Sequence, residues 1–281
     1  MGETTKIEWT DHTFNPWIGC SHVHTGCTNC YAEALSNRFG KARWGKYGSR
    51  VQTTRNYWRQ PLKWNKAARE AGVRRRVFCA SLADVFEDFT GDVHTPLGLH
   101  LGGNLDTIRA ALFWLIDMTP DLDWLLLTKR PENIHRMWPG GPRPNVWLGT
   151  SVSDQATANK FIPPLVECRD VVPVLFVSYE PALWQIDFSQ YAPELDWIIV
   201  GGESGPNARP FDVQWAYSTI VQCKDDGVAC FVKQLGANVE FIERGCVSPL
   251  YLEDPKGGDP SEWPEDLRVR EFPIVRHAHA G

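Results

Sequence analysis

Cys20, Cys27 and Cys30 fall within eleven residues, in the segment Asn15-Pro-Trp-Ile-Gly-Cys-Ser-His-Val-His-Thr-Gly-Cys-Thr-Asn-Cys-Tyr-Ala-Glu. Three thiolates on one loop form an incomplete tetrahedral set of soft donors. A structural zinc would need a fourth ligand, which His12, His22 or His24 could supply. A four-iron cluster held by three thiolates instead leaves one iron open to a small molecule. The residues alone leave both readings standing. Gly19 and Gly26 bracket the loop, and Tyr31–Arg38 has helical character. Of the remaining cysteines, Cys79 and Cys230 lie in apolar runs and are expected to be small buried hydrophobes.

A second set of candidate groups follows short apolar runs. Ser81 and Asp84 come after one such run, Thr128 and Lys129 after another, and Thr150 and Ser151 after a third. Ser178 and Glu180, then Gly201, Gly202 and Glu203, then Lys233 and Gln234 close three more. One Ser or Glu at such a point is commonly a helix cap. Six successive polar tips fit the ligand-binding edge of a parallel sheet better.

The elements that must carry these groups are legible in the pattern. The runs Arg76–Asp84, Asp123–Arg130, Asn145–Ser151, Val172–Glu180, Asp196–Glu203 and Ala229–Gln234 are continuously apolar, not alternating, as in strands buried on both faces. With the segment leading to Cys20 they make about seven strands. Helical stretches are expected at Asn104–Met118, from a cap at Ser153-Asp154 towards Cys168 with an interruption at Pro163-Pro164, and at Phe211–Lys224. The spacing between strands leaves room for a crossover helix each time, and such crossovers are right-handed. No Gly-x-Gly-x-x-Gly or Walker pattern follows the first strand. The fold class expected is α/β, a partial or full (βα) TIM-type barrel of six to seven parallel strands. It is read as one domain over 1–281, with a basic aromatic insertion at 31–76 and an acidic extension from about 254.

The 281 residues are 43% hydrophobic and 22% charged, which excludes collagen-like, low-complexity and wholly disordered chains. No apolar run approaches the ~20 residues of a membrane span, and Met1–Trp9 has no apolar signal core, so a cytoplasmic location is expected. The net charge of −5 hides an asymmetry: residues 31–76 hold thirteen Lys and Arg against two Glu. Trp44, Tyr47, Tyr57, Trp58 and Trp64 are interleaved with them. Cations and flat rings together suit a nucleic acid, whereas an amphipathic helix with its aromatics turned inward would give the same composition.

A three-cysteine loop after the first strand of a repeated βα chain resembles the radical S-adenosylmethionine superfamily. The spacing here is six residues then two, where that superfamily usually has three then two. Asn29 stands before the third cysteine, where an aromatic residue is usual, and Tyr31 follows it. Asn15-Pro-Trp-Ile-Gly-Cys, Gly-Cys-Thr-Asn-Cys-Tyr-Ala-Glu, Leu-Thr-Lys-Arg-Pro, Gly-Thr-Ser-Val, Glu180-Pro and Ile-Val-Gly-Gly-Glu-Ser together resemble a largely phage-encoded three-cysteine branch, known only as a domain of unknown function. The likeness runs from about Thr5 to Gly236 and returns at Asp266–Pro273. A more distant similarity is to spore photoproduct lyase.

The resemblance implies an enzyme whose 4Fe-4S cluster sits on Cys20, Cys27 and Cys30 and cleaves S-adenosylmethionine to a 5′-deoxyadenosyl radical. It places Ser81, Lys129 and Ser151 around the S-adenosylmethionine, with Tyr31 beside it and Asp84 on a ribose hydroxyl or the ammonium group. A cation for the methionine carboxylate is a physical requirement that Lys129 meets. Glu180, Glu203 and Lys233, later in the chain, are expected to face the substrate. With the basic stretch, the phage-type likeness suggests chemistry on a nucleobase of DNA: thymidine hypermodification, such as isomerisation of an amino-acid-decorated (glycyl) thymidine. A flavodoxin or ferredoxin would be the reducing partner, in a host cytoplasm if the chain is phage-encoded. The alternatives are a radical DNA-repair lyase and a non-enzymatic zinc-bearing protein that binds nucleic acid or a partner.

Overall fold

The computed structural model describes residues 5, 7–102, 104–243 and 245–275. Most of the N-terminal segment read for a signal core lies outside them. Its main element is a seven-stranded parallel sheet: β1 (His12–Thr13), β2 (Arg75–Cys79), β3 (Leu122–Thr128), β4 (Val146–Val152), β5 (Val174–Tyr179), β6 (Trp197–Gly201) and β7 (Ala229–Gln234). The strands neighbour one another in chain order throughout. A doubly wound sheet reverses its order part-way, so this is the order of a partial (βα) barrel. Every residue of β4, β5 and β6 is buried. That explains the continuous apolar runs, in which each fully buried aliphatic side chain contributes roughly 1.5–3 kcal/mol.

The helices of eight or more residues among the described ones are α1 (Tyr31–Arg38), α2 (Gln60–Ala71), α3 (Asp106–Asp117), α4 (Gln155–Val166) and α5 (Val213–Asp226). Asp154 caps α4 in a reciprocal capping box with Thr157, and Asp212 caps α5 through the Gln214 N–H. Gly72 and Gly227 end α2 and α5 in the left-handed conformation that a C-cap requires.

Three local expectations need correction. The first sheet strand is only two residues long. Pro16 has no N–H to continue the ladder, and Trp17–Ile18 pairs instead with Val51–Gln52 in a separate small sheet. Helix α4 continues through Pro163 and Pro164 to Val166. The prolines occupy its last turn, where Phe161, Ile162 and Leu165 are buried and hold the backbone in place. The β5–β6 crossover has no α-helix, only a short 3-10 turn at Ala192–Glu194. Pro181 and Pro193 break it, and Ala182, Ile186 and Phe188 provide its buried contacts.

The chain divides into two compact units, with β4 running through the boundary. The first comprises residues 1–23, 30–148 and 170–173. It includes a small sheet of Trp17–Ile18, Ser49–Gln52, Asp92–His94 and His100–Gly102. In its basic stretch Tyr57 and Trp64 are buried, Trp44 and Trp58 half-buried and Tyr47 exposed, while Arg55, Arg59 and Lys63 point outwards. Trp64 stacks on His12 at 4.3 Å, and the Tyr57 hydroxyl donates to the Thr13 carbonyl. The inward-turned alternative therefore describes Tyr57 and Trp64.

The second unit comprises residues 24–29, 149–169 and 174–281. Its open sheet edge, β7, is covered by the acidic tail: Val232 N–H donates to Val269, Glu271 N–H to Cys230, and Trp197 Nε1 to the Glu271 carbonyl. Trp263 buries its ring and donates to the Gly257 carbonyl.

Candidate functional site

In the first unit the strand ends are organised by a buried ionic network. Arg50 is fully buried and bidentate on Glu87, with Nε to Oε2 at 2.6 Å and Nη2 to Oε1 at 2.7 Å. Arg130, just beyond β3, donates to Asp84 at 2.8 Å, to the Ser21 carbonyl at 2.8 Å and to the Cys20 sulfur at 3.6 Å. Burial works against the Arg130 charge, but Asp84, Cys20 and Glu87 overcome it and hold the guanidinium firmly protonated. Burial pushes the Cys20 thiol up to about 12, and Glu87 and Asp84 add to the rise while Arg130 opposes it. From α3, Arg109 donates to the Val85 and Glu87 carbonyls and fixes the segment that bears Glu87.

Around this network lie four of the residues expected at the cofactor, Tyr31, Ser81, Asp84 and Lys129, whereas Ser151 belongs to the second unit. Asp84 accepts from the Thr128 hydroxyl, the Lys129 and Phe86 N–H groups and Arg130, so its carboxylate is committed to the strand ends. Among the described residues the Lys129 ammonium has no hydrogen-bond or ion-pair partner. The Tyr31 hydroxyl donates to the Ser81 carbonyl at 2.9 Å, and the Ser81 hydroxyl accepts from Asn15. Asn15 is wholly buried. Its side-chain oxygen accepts the Leu82 N–H at 2.6 Å, tying the start of the cysteine segment to the end of β2.

The second unit holds two further clusters. Glu180 pairs with Lys233 at 2.7 Å and accepts from the Ser178 hydroxyl at 3.1 Å, while the Ser151 hydroxyl donates to the Glu180 carbonyl. Gly201 lies close beside the pair, where a Cβ would stand 2.9 Å from a Glu180 carboxylate oxygen. Glu203 belongs to a different cluster. Its carboxylate accepts from Arg209 Nε and Nη2, from the Arg209 backbone N–H and from Asn29. Burial raises the Glu203 carboxyl, but the Arg209 and Asn29 hydrogen bonds outweigh it and hold it below its ordinary value. The three groups expected to face substrate are therefore a joined pair and one loop-bound carboxylate.

All eight cysteines are free thiols, with Cys20 and Cys30 half-buried and Cys27 buried. Among the described residues no three Cys, His, Asp or Glu side chains are gathered as metal ligands. The donor type fits an iron–sulfur cluster, since three soft thiols share one loop and one sulfur already accepts a charged N–H. Of the histidines weighed for zinc, His22 pairs with Glu33 at 2.6 Å, His24 accepts the Gly26 N–H on Nδ1, and the His12 ring stacks on Trp64.

Asn15, Arg50, Glu87, Arg130 and Arg209 were not singled out by sequence reasoning. Arg130 follows Lys129 directly and Asn15 opens the cysteine segment, so both had a signal. Glu87 and Arg209 had none, because their partners are distant in the chain.

The family described as "Protein of unknown function (DUF5131)" matches residues 4–248. The chain belongs to the DUF5131 family. No curated protein matches the sequence. Among solved structures, a double mutant of spore photoproduct lyase with bound AdoMet and dinucleoside spore photoproduct is similar to this DUF5131 protein at 12% identity and a TM-score of 0.46, covering 89% of this chain and 71% of that one.

Proposed function

We propose that this DUF5131 protein is a radical S-adenosylmethionine enzyme that acts on a nucleobase. The observation that carries the reading is a loop of three reduced thiols after the first strand of a chain-ordered parallel sheet, with His22 paired to Glu33. Cys20, Cys27 and Cys30 would hold a 4Fe-4S cluster. When bound, such a cluster supplies the electron that cleaves S-adenosylmethionine to a 5′-deoxyadenosyl radical.

The chain's own groups bind and orient. Lys129 offers an uncommitted ammonium to the methionine carboxylate, and its backbone N–H is fixed by Asp84 at 3.1 Å. Ser81, Ser151 and Tyr31 supply hydroxyl partners for the polar rim of S-adenosylmethionine. Glu180 and Lys233 hold each other in one geometry and position the substrate, which is the protein's main contribution in radical chemistry.

The outward Arg55, Arg59 and Lys63 and the exposed Tyr47 suit a polyanion with unpaired bases, hence DNA or a modified nucleotide. The reaction proposed is hydrogen abstraction α to nitrogen on an amino-acid-decorated thymidine, migration and return of the hydrogen. A base in duplex DNA would have to be flipped out. The electron donor is of the flavodoxin or ferredoxin class.

The test is anaerobic reconstitution with iron and sulfide, then reduction with S-adenosylmethionine across a panel of modified nucleotides and DNA. A brown protein that releases 5′-deoxyadenosine in a substrate-dependent way supports the reading. A colourless protein with one tightly held zinc after the same treatment removes it. Conserved substrate mass identifies an isomerase, and separated fragments a lyase.

A further inference from the structure

We propose that Glu203 and Arg209 form a clamp that holds the segment bearing Cys27 in place, so that Glu203 is a positioning residue and not an acid–base group. The inference deepens the proposed function, because Cys27 is one of the three cluster ligands that reading requires.

Residues 24–29 carry a single 3-10 turn, Thr25–Cys27, too short to fix its own position. Arg209 and Asn29 fasten it, and Gly26 packs it against a neighbouring strand end. Arg209 Nη1 donates to the Thr25 carbonyl at 2.9 Å. Asn29 Nδ2 donates to Glu203 Oε2 at 2.9 Å and to the Asn207 carbonyl at 2.8 Å. Gly26 presses its backbone so close to Ser153 that a Cβ would stand 2.4 Å from the Ser153 hydroxyl. Cys27 lies between the two clamped residues and is buried.

The chemistry of the pair suits holding. Arg209 spends Nε and Nη2 on the Glu203 carboxylate as a fork and turns Nη1 to Thr25, a use of the planar guanidinium that lysine cannot copy. Glu203 receives three donors on Oε2 and one on Oε1. A carboxylate so occupied stays ionised and is spent on holding its four donors.

The test is alkylation of the metal-free protein under native conditions, followed cysteine by cysteine by peptide mass spectrometry. Arg209→Gln should speed Cys27 modification about tenfold or more, as when a local opening becomes about 1.4 kcal/mol easier. Cys79 and Cys168, both fully buried, should stay protected and report an intact fold. Arg209→Lys should fall between wild type and Arg209→Gln, since one ammonium can serve Glu203 or the Thr25 carbonyl but not both. Should Arg209→Gln fail to fold, Asn29→Asp decides the matter: at this half-buried position it turns a donor into a second carboxylate facing Glu203, and it too should release Cys27. Unchanged Cys27 protection in a folded variant overturns the clamp. If wild type then still assembles an iron cluster, the radical reading stands without the clamp. Released Cys27 in a protein that never binds iron leaves the clamp and removes the radical reading.

Discussion

Arg130 Nη1 stands 2.8 Å from an Asp84 carboxylate oxygen and 3.6 Å from the Cys20 sulfur, so one buried guanidinium joins the ends of β2 and β3 to the cysteine loop. Charge balance in this network depends on it, because Asp84 and Glu87 are both buried.

Arg130→Met should therefore destabilise the metal-free protein by roughly 3–5 kcal/mol, the cost of leaving a buried carboxylate without its counter-charge. Arg136→Ala removes an exposed pair with Asp88 and should cost no more than about 1 kcal/mol. Urea denaturation of the two variants checks the contrast. Equal, small losses would mean that Asp84 is satisfied by Thr128 and backbone N–H groups alone.

Cys27→Ala should abolish cluster assembly and 5′-deoxyadenosine release together, as read by iron and sulfide content and by product chromatography. Retention of a full cluster would show that Cys27 is not a ligand.

Lys129→Ala should leave the iron content intact while weakening S-adenosylmethionine binding about tenfold or more, the scale of one lost charge-assisted contact. Calorimetric titration of the reconstituted protein measures it. Normal affinity would move the cofactor's carboxylate elsewhere.

The Glu203 carboxyl is held below its ordinary value of 4.5 by Arg209 and Asn29 despite its burial. A depressed carboxyl stabilises the fold above its unfolded value, and that contribution is lost as pH falls through the lowered folded value. Glu203→Gln should melt below wild type at neutral pH, and the gap should close as the pH drops below the ordinary carboxylate range. A gap independent of pH would mean that the side chain acts by packing and not by charge.

Neutralising Arg55, Arg59 and Lys63 together should weaken binding of single-stranded DNA and reduce the slope of log affinity against log salt by about 2, at ~0.7 per lost phosphate contact. Fluorescence anisotropy over a salt series tests it. An unchanged slope would leave this stretch as a solvated helix face.

Much of the scaffold is legible in the amino-acid sequence. Ala229–Gln234 is read with its observed bounds, and the runs Asp123–Arg130, Asn145–Ser151 and Val172–Glu180 each contain the strand core, because burial on both faces leaves an unbroken apolar signature. Asp154 was legible as a cap for the same local reason. What escaped depends on long-range partners. Nothing near Glu87 in the chain announces Arg50 or Arg130, and Arg209 finds Thr25 only once the fold has formed. The helical Pro163 and Pro164 escaped because burial of Phe161, Ile162 and Leu165 outweighs a local preference that sequence reading weighs first.

The tail segment beside β7 gives the acidic extension a task independent of any reaction. Shortening the chain before Arg268 would bare a ladder of unpaired amides and carbonyls along Cys230–Val232 and strip cover from Trp197. Such a rim is a template for edge-to-edge pairing, and the tail segment occupies it.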